Sequence, residues 1–134
     1  MRQEKIARIL VVDDQLKWRN ALQMILEQEG YTVMTASDFE SACILLDSCD
    51  FDLVTLDVRL VDDRAFNVQG LGLLQRIKRF QPEIKVIILT GYPENIREGF
   101  LEEHKADALL LKVPEGARFD KIAFQQLVKT LLSS

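Results

Sequence analysis

Polar side chains stand directly after four short apolar runs of this sequence. Each run has the length of a β-strand and is too short for a helix. Ligands of doubly wound sheets bind outside the carboxyl ends of the strands, so the residues that follow the runs are those that could do chemistry. Three carboxylates, one hydroxyl and one ammonium are therefore expected at the same edge of a sheet. In chain order, these groups belong to Asp13, Asp14, Asp57, Thr90 and Lys112.

The three carboxylates need a counter-charge, because neighbouring carboxylates raise one another's pKa values. Mg²⁺ supplies one, since it prefers oxygen ligands, keeps several waters and recruits phosphate oxygens. A bare metal site gives no role to Lys112 or Thr90. An anion with several oxygens beside the metal does, because lysine supplies charge and threonine a hydrogen bond. The set predicts phosphoryl transfer to an aspartate.

Each of these residues also has an ordinary interpretation. Asp13 and Asp14 could satisfy backbone N–H groups at a helix start, and Asp57 could be a loop carboxylate. Thr90 could belong to a simple turn, and Lys112 could be an exposed lysine at a strand end. Their coincidence after four separate runs favours the joint interpretation over the separate ones.

Five predicted strands alternate with predicted helices and position these residues. Four of the runs are continuously apolar, with Thr55 as the one polar exception, which predicts parallel strands that are buried on both faces. A fifth run is half polar and predicts an edge strand. The alternation predicts a doubly wound α/β fold with right-handed crossovers, in a single domain over 1–134. The apolar strands are predicted at 9–12, 53–56, 86–89 and 108–111, and the edge strand at 31–35.

The helices are predicted from apolar residues at helical spacing. The first carries Trp18 and Leu22 and ends near Gly30, and Ser37 and Glu40 have the spacing of a capping box at the start of the second. A helix over 94–104 has few apolar anchors and contains Gly99, so we expect it to be the most mobile. The other two are predicted after Gly70 as far as Phe80, and over 119–131.

Composition excludes several classes of function. The 134 residues carry a net charge of −4, which argues against general binding to nucleic acid. The sequence has neither the ~20-residue apolar run of a membrane helix nor a signal peptide. Cys43 and Cys49 lack metal-binding spacing, and two cysteines indicate reduced, buried thiols and a cytoplasmic protein.

The sequence resembles the receiver domains of two-component response regulators. The resemblance covers nearly the whole chain, and its motifs are specific in combination. They are ILVVDD at 9–14, DLVTLD at 52–57, VIILTG at 86–91 and LLK at 110–112.

The resemblance implies a five-stranded sheet of order 2-1-3-4-5 with helices on both faces. It implies that Asp57 accepts a phosphoryl group from a phosphohistidine on a sensor kinase or phosphotransfer protein. Mg²⁺ would be bound by Asp14, Asp57 and the backbone carbonyl of Arg59, with Asp13 acting through water. Lys112 and Thr90 would contact the phosphoryl oxygens.

The resemblance also implies a signalling switch rather than an enzyme, although the switch assists its own phosphorylation and dephosphorylation. Its expected partners are the phosphodonor protein and either a downstream protein or an output domain that this chain lacks. No direct nucleic-acid or membrane partner is expected, and a homodimer is left open.

The sequence departs from the family pattern around the site. The segment between Asp57 and Gly70 is longer than usual and lacks the usual proline, so 60–69 is predicted to be either a site-covering loop or a neutral insertion. Pro114 stands two residues after Lys112 instead of directly after it, which puts the usual cis peptide in doubt. Leu109 replaces the aromatic switch residue of the family.

Two bulky residues, Arg59 and Tyr92, flank the candidate acceptor and are predicted to shield a phosphoryl group from water.

Two other classes of function remain for comparison: an interaction module, and an enzyme or cofactor binder on a similar fold. A receiver-like interaction module without regulated phosphorylation is the main alternative, although Asp14, Asp57 and Lys112 are all present. A flavin or dinucleotide binder needs a glycine- or hydroxyl-rich loop after the first strand, where this chain has Asp-Asp-Gln. An aspartate-nucleophile phosphatase would need a second acid where Arg59 stands.

Overall fold

Five parallel strands form one sheet in the computed structural model, which describes residues 5–58, 64–91, 99–112 and 118–134. The sheet order is β2-β1-β3-β4-β5, so the predicted order and the predicted edge position of β2 are confirmed. The strands are β1 (Arg8–Val12), β2 (Thr32–Ala36), β3 (Leu53–Asp57), β4 (Lys85–Thr90) and β5 (Ala108–Leu111).

Helices cover both faces of the sheet, as expected for a doubly wound fold. Alternate residues of each strand face opposite sides: Ile9 belongs to one apolar cluster and Leu10 to the other. None of the described helices is both long and apolar enough to span a bilayer. The helices are α1 (Leu16–Gln28), α2 (Phe39–Ser48), α3 (Arg64–Phe80), α4 (Phe100–His104) and α5 (Lys121–Leu132).

The ends of the first two helices agree only partly with the sequence prediction. Gly30 follows α1 with a φ of 93°, the left-handed conformation for which glycine is suited. The predicted capping box at Ser37 is wrong, because Asp38 caps α2 by accepting a hydrogen bond of 2.7 Å from the N–H of Ser41. A charged carboxylate at the cap also interacts favourably with the helix dipole.

Helix α3 begins at Arg64, so the prediction that it starts after Gly70 is wrong. Residues 64–69 of the predicted loop are helical, and 60–63 lie outside the described residues. Gly70 lies inside α3, at the point where the helix passes close to the end of β3. A Cβ at this position would lie 3.3 Å from Val58 Cγ2 and 3.7 Å from the carbonyl oxygen of Asp57.

The last two helices also differ from their predicted limits. Gly99 has a φ of 85° and directly precedes α4, so it is not inside a helix. The predicted helix over 94–104 is described only from Phe100 onward. Helix α5 begins after Asp120, which leaves Phe119 outside it. Ile122 is 66% exposed, whereas Phe124, which the sequence analysis did not single out, is fully buried.

Both cysteine thiols are free and half-buried. The prediction of reduced thiols therefore agrees with the structure, but the side chains are less buried than expected.

Candidate functional site

The ends of four strands bring the predicted site residues to one edge of the sheet. Backbone hydrogen bonds continue just beyond the strands: the N–H of Asp13 donates to the carbonyl of Ala36 at 3.1 Å, and the N–H of Lys112 donates to that of Thr90 at 2.7 Å. Asp57 is the last residue of β3 and pairs in register with Leu89. The sheet backbone therefore fixes the positions from which these side chains project.

Three carboxylates meet at this edge. The side chains of Asp13, Asp14 and Asp57 each offer one oxygen, and these oxygens lie within 4.8 Å of one another. Asp13 and Asp57 are buried, with 1% and 4% of their surface exposed, while Asp14 is exposed. Such a cluster is open to solvent on one side and closed on the other.

Lys112 forms ion pairs with both buried carboxylates. Its Nζ lies 2.7 Å from Asp13 Oδ2 and 2.9 Å from Asp57 Oδ1. The lysine itself is buried, with 7% of its surface exposed, so the interpretation of an exposed lysine at a strand end is wrong. Burial removes water from the ammonium and from the carboxylates, and the ion pairs between them offset part of this loss of hydration.

The compensation at Asp57 is incomplete. Burial and the nearby charge of Asp13 raise the pKa of Asp57 to about 6, even though Lys112 acts in the opposite direction. Asp57 Oδ2 is buried and accepts no hydrogen bond from the described residues. This oxygen therefore retains an unmet demand for positive charge or a hydrogen-bond donor.

Asp13 combines the ordinary interpretation with the functional one. Its Oδ1 accepts a hydrogen bond of 2.9 Å from the N–H of Gln15, at the start of α1, while Oδ2 faces Lys112. Arg19 donates to the backbone carbonyl of Asp13 at 2.8 Å. The carboxylate therefore both tethers the first turn of α1 and contributes charge to the cluster.

Thr90 and Leu109 are placed by the pairing of β4 with β5. Thr90 is fully buried, and it pairs in register with Leu111, next to Lys112. Leu109 pairs with Ile88 and packs, partly buried, on the apolar cluster that contains Ile88. Three other residues of the sequence prediction, Arg59, Tyr92 and Pro114, lie outside the described residues.

Two neighbours of the site were not identified from the sequence as functional. Trp18 was assigned only to the apolar stripe of α1, yet the Lys112 Nζ lies 4.9 Å from the centre of its ring. Phe39 lines a pocket that opens beside Asp14 and Asp57. The one signal in the sequence for Trp18 is its position four residues after Asp14, one helical turn into α1.

The donor atoms of the cluster fit Mg²⁺. All three are carboxylate oxygens, the donor type that this hard cation prefers, and their small number leaves room for waters and a substrate oxygen to complete the coordination. The buried Oδ2 of Asp57 accepts no hydrogen bond from the described residues and is therefore available to a cation. The described residues therefore suit a magnesium ion.

The chain belongs to the family of response regulator receiver domains, whose pattern matches residues 9–123. A receiver domain protein of Methanospirillum hungatei, described as CheY-like, has a structure that superposes with a TM-score of 0.78. It is 27% identical, and the alignment covers 96% of this chain and 95% of that one. The resemblance stated from the sequence is confirmed.

A second structure is that of the response regulator TrrA of Thermotoga maritima, in complex with Mg²⁺ and BeF. It is 31% identical with a TM-score of 0.76, and the alignment covers 94% of this chain and 99% of that one.

The curated relatives are longer proteins. The alginate biosynthesis transcriptional regulatory protein AlgB of Pseudomonas aeruginosa is 39% identical over 89 residues, which are 66% of this chain and 19% of AlgB. The nitrogen assimilation regulatory protein NtrX of Azorhizobium caulinodans is 37% identical over 63% of this chain and 18% of NtrX. The matched region thus spans less than a fifth of the length of these regulators.

Proposed function

We propose that this chain is a phosphoacceptor switch, in which Asp57 takes a phosphoryl group from a phosphohistidine in a Mg²⁺-dependent reaction and the modified chain changes its binding of a partner. The observation that carries the proposal is the setting of Asp57. It is a buried carboxylate, 2.9 Å from a buried ammonium and within 4.8 Å of oxygens from two further carboxylates. A carboxylate that needs so much compensation is suited to a metal and a phosphate.

In the proposed reaction, a carboxylate oxygen of Asp57 attacks phosphorus and forms an acyl phosphate. The P–N bond of the phosphohistidine breaks, and the imidazole leaves with the electron pair and takes up a proton. Lys112 is already within ion-pair distance of Asp57, so its ammonium can neutralise charge on the transferred oxygens. Thr90, at the end of the adjacent strand, would donate a hydrogen bond to one of them.

Asp14 and Asp57 would hold the metal, together with the carbonyl of Arg59, while Asp13 would act through water. When bound, Mg²⁺ supplies positive charge that draws the phosphoryl oxygens to Asp57. Arg59 and Tyr92 would shield the product from water, as predicted from the sequence. The proposed phosphodonors are a sensor histidine kinase or a phosphotransfer protein.

We propose that the signal passes to a downstream protein or to an output domain. The longer relatives support this, since the matched region is a small part of each. The free thiols of Cys43 and Cys49 support a cytoplasmic location. The single domain over 1–134 remains a prediction.

The experiment is the intact mass of the protein after incubation with Mg²⁺ and a small phosphodonor. The wild type is expected to gain one phosphoryl group, and Asp57→Asn none. A matched control is Asp47→Asn, which changes an exposed carboxylate on α2 that pairs with Arg76 away from the site. The same gain in Asp57→Asn and wild type would overturn the assignment. No gain in the wild type would favour an interaction module without regulated phosphorylation.

A titration with Mg²⁺ tests the metal site separately. Asp14→Ala is expected to weaken the affinity at least tenfold, because a hard cation depends on anionic oxygen. Glu83→Ala, which removes an exposed carboxylate before β4 at the opposite end of the sheet, is expected to leave the affinity unchanged. Equal affinities for all three proteins would exclude Asp14 as a ligand.

A further inference from the structure

An aromatic ring lies beside the Lys112 ammonium, in addition to the two carboxylates. Nζ lies 4.9 Å from the centre of the Trp18 ring, and it forms ion pairs with Asp13 Oδ2 at 2.7 Å and with Asp57 Oδ1 at 2.9 Å. A cation at this distance from a ring is attracted by the negative π-face, most strongly where water is excluded. Lys112 is buried, so its contact with the ring is largely shielded from water.

The ring is itself held from behind. Phe119 meets Trp18 edge-to-face, with ring centres 5.3 Å apart and planes at 88°. Phe119 in turn contacts Phe124, with ring centres 5.6 Å apart, and Phe124 is a residue of α5 that is fully buried in the apolar cluster on this face of the sheet. Edge-to-face contacts are favourable and set the orientation of rings. The three rings form an aromatic cluster that extends from the ammonium to the core.

This support explains why Trp18 keeps its face toward Lys112. A side chain in the first turn of a helix at the protein surface would otherwise have several rotamers. Here Phe119 packs edge-to-face against the ring and opposes its reorientation. The lysine side chain, which is long and has several rotatable bonds, gains a fixed surface against which its end can lie.

We propose that Trp18 is a positioning residue for Lys112: its ring holds the ammonium against Asp13 and Asp57 and keeps water from it. The effect of Trp18 on phosphorylation rests on the proposed function, whereas the contact between Trp18 and Lys112 does not. It is not required by the fold, since a leucine at this position would also fill an apolar stripe of α1.

Fluorescence tests the contact without any phosphorylation. Trp18 is the single tryptophan of the chain, so emission from the folded protein reports on its ring alone. In metal-free protein, Lys112→Met removes the charge at the ring face and is expected to change the emission maximum or intensity. Lys112→Arg keeps a charge and is expected to stay closer to the wild type. Identical emission from wild type and Lys112→Met, each folded, would overturn the proposal.

The rate of phosphorylation by a small phosphodonor tests the consequence. Trp18→Leu is expected to slow modification of Asp57 about tenfold, and Trp18→Phe, which retains a π-face, to recover most of the rate. The control is Phe80→Leu, which removes an exposed ring at the end of α3. Equal rates for Trp18→Leu and Trp18→Phe would show that only packing matters and would overturn the positioning role.

The two measurements separate this proposal from the proposed function. If the wild type is never phosphorylated but its emission depends on the charge at position 112, the proposed function fails and the contact stands. If phosphorylation proceeds but emission is indifferent to that charge, the proposed function stands and the role of Trp18 fails.

Discussion

The ammonium of Lys112 lies closer to Asp13, at 2.7 Å, than to Asp57, at 2.9 Å. Both partners belong to the carboxylate cluster that suits Mg²⁺. The lysine therefore supplies, within the chain, part of the positive charge that a metal would bring. Two cations that share the same ligands repel each other, so the lysine and a metal are expected to compete.

We therefore expect Lys112→Met to bind Mg²⁺ more tightly than the wild type, by several-fold, because the cluster becomes more negative. Calorimetric titration measures the affinity. The matched control is Lys78→Met, since the Lys78 ammonium lies 2.7 Å from Asp107 at the other end of the sheet. The expectation would be contradicted if Lys112→Met bound the metal more weakly than Lys78→Met.

Asp57 is expected to make stability depend on pH in the absence of metal. Its pKa rises from 3.8 to about 6 on folding, so the folded state binds this proton more tightly than the unfolded state. The resulting stabilisation is fully present below about pH 4 and is lost as pH rises through about 6. Over that window the loss amounts to roughly 3 kcal/mol.

Asp57→Asn lacks this proton equilibrium and isolates the effect. Urea unfolding is measured from pH 4 to 7 in the presence of a chelator. The free energy of unfolding of the variant is expected to increase relative to that of the wild type as pH rises. Saturating Mg²⁺ should remove much of the difference by stabilising the ionised carboxylate of the wild type. A constant difference between the two proteins across this range would show that the pKa of Asp57 is not raised.

Thr55 is expected to cost stability at the centre of the sheet. It is fully buried, and its hydroxyl has no hydrogen-bond partner among the described residues. Its neighbours in register, Val11 and Ile87, are fully buried and apolar. Thr55→Val is expected to raise the free energy of unfolding by about 1 kcal/mol, because it removes an unsatisfied polar group with little change of shape.

Thr55→Ser provides the control, since it keeps the hydroxyl, loses a methyl group and is expected to be less stable than the wild type. Chemical denaturation of the three proteins gives the ranking. Lower stability of Thr55→Val than of the wild type would mean that the hydroxyl makes a hydrogen bond.

Helix α4 is expected to respond to phosphorylation. It has five residues, and the residues on either side, Gly99 and Lys105, both have left-handed backbone conformations, with φ of 85° and 61°. So short a helix has little stability of its own. Amide exchange over 99–105 is expected to change on phosphorylation, and Thr90→Ala is expected to abolish the change.

The expected response is a relay from the phosphoryl group through Thr90 to α4, in which Leu109 stands where the family has an aromatic switch residue. Leu109→Tyr is therefore expected to alter partner binding only modestly, because no aromatic ring takes part in this relay. Exchange that is identical with and without phosphate would refute the relay. The segment after Asp57 would then be the next place to look for the output.

The positions of the chemical groups could be predicted because they depend on one rule. Parallel strands carry their carboxyl ends to a common edge, so residues such as Asp57 and Thr90, which end their runs, had to meet there. Each apolar run in turn predicted its strand, since burial on both faces leaves few polar positions, Thr55 being the exception.

The features that were missed depend on contacts between segments far apart in sequence. The start of α3 could not be predicted correctly because glycine normally disfavours a helix. In the structure, the absence of a side chain at Gly70 allows Val58 to lie close to α3. The burial of Lys112 and the ring of Trp18 above it depend on how α1 packs against the end of β5. No local pattern in the sequence encodes such a meeting.

Gly70 also has a mechanical consequence. At this point no side chain separates α3 from the end of β3, and a Cβ would lie 3.7 Å from the carbonyl oxygen of Asp57. The same Cβ would lie 3.3 Å from Val58 Cγ2, which is tighter than an ordinary contact between carbon atoms. Any larger residue at position 70 would therefore press on Val58, the residue that directly follows Asp57, and the missing methyl group leaves this end of β3 undisturbed by α3.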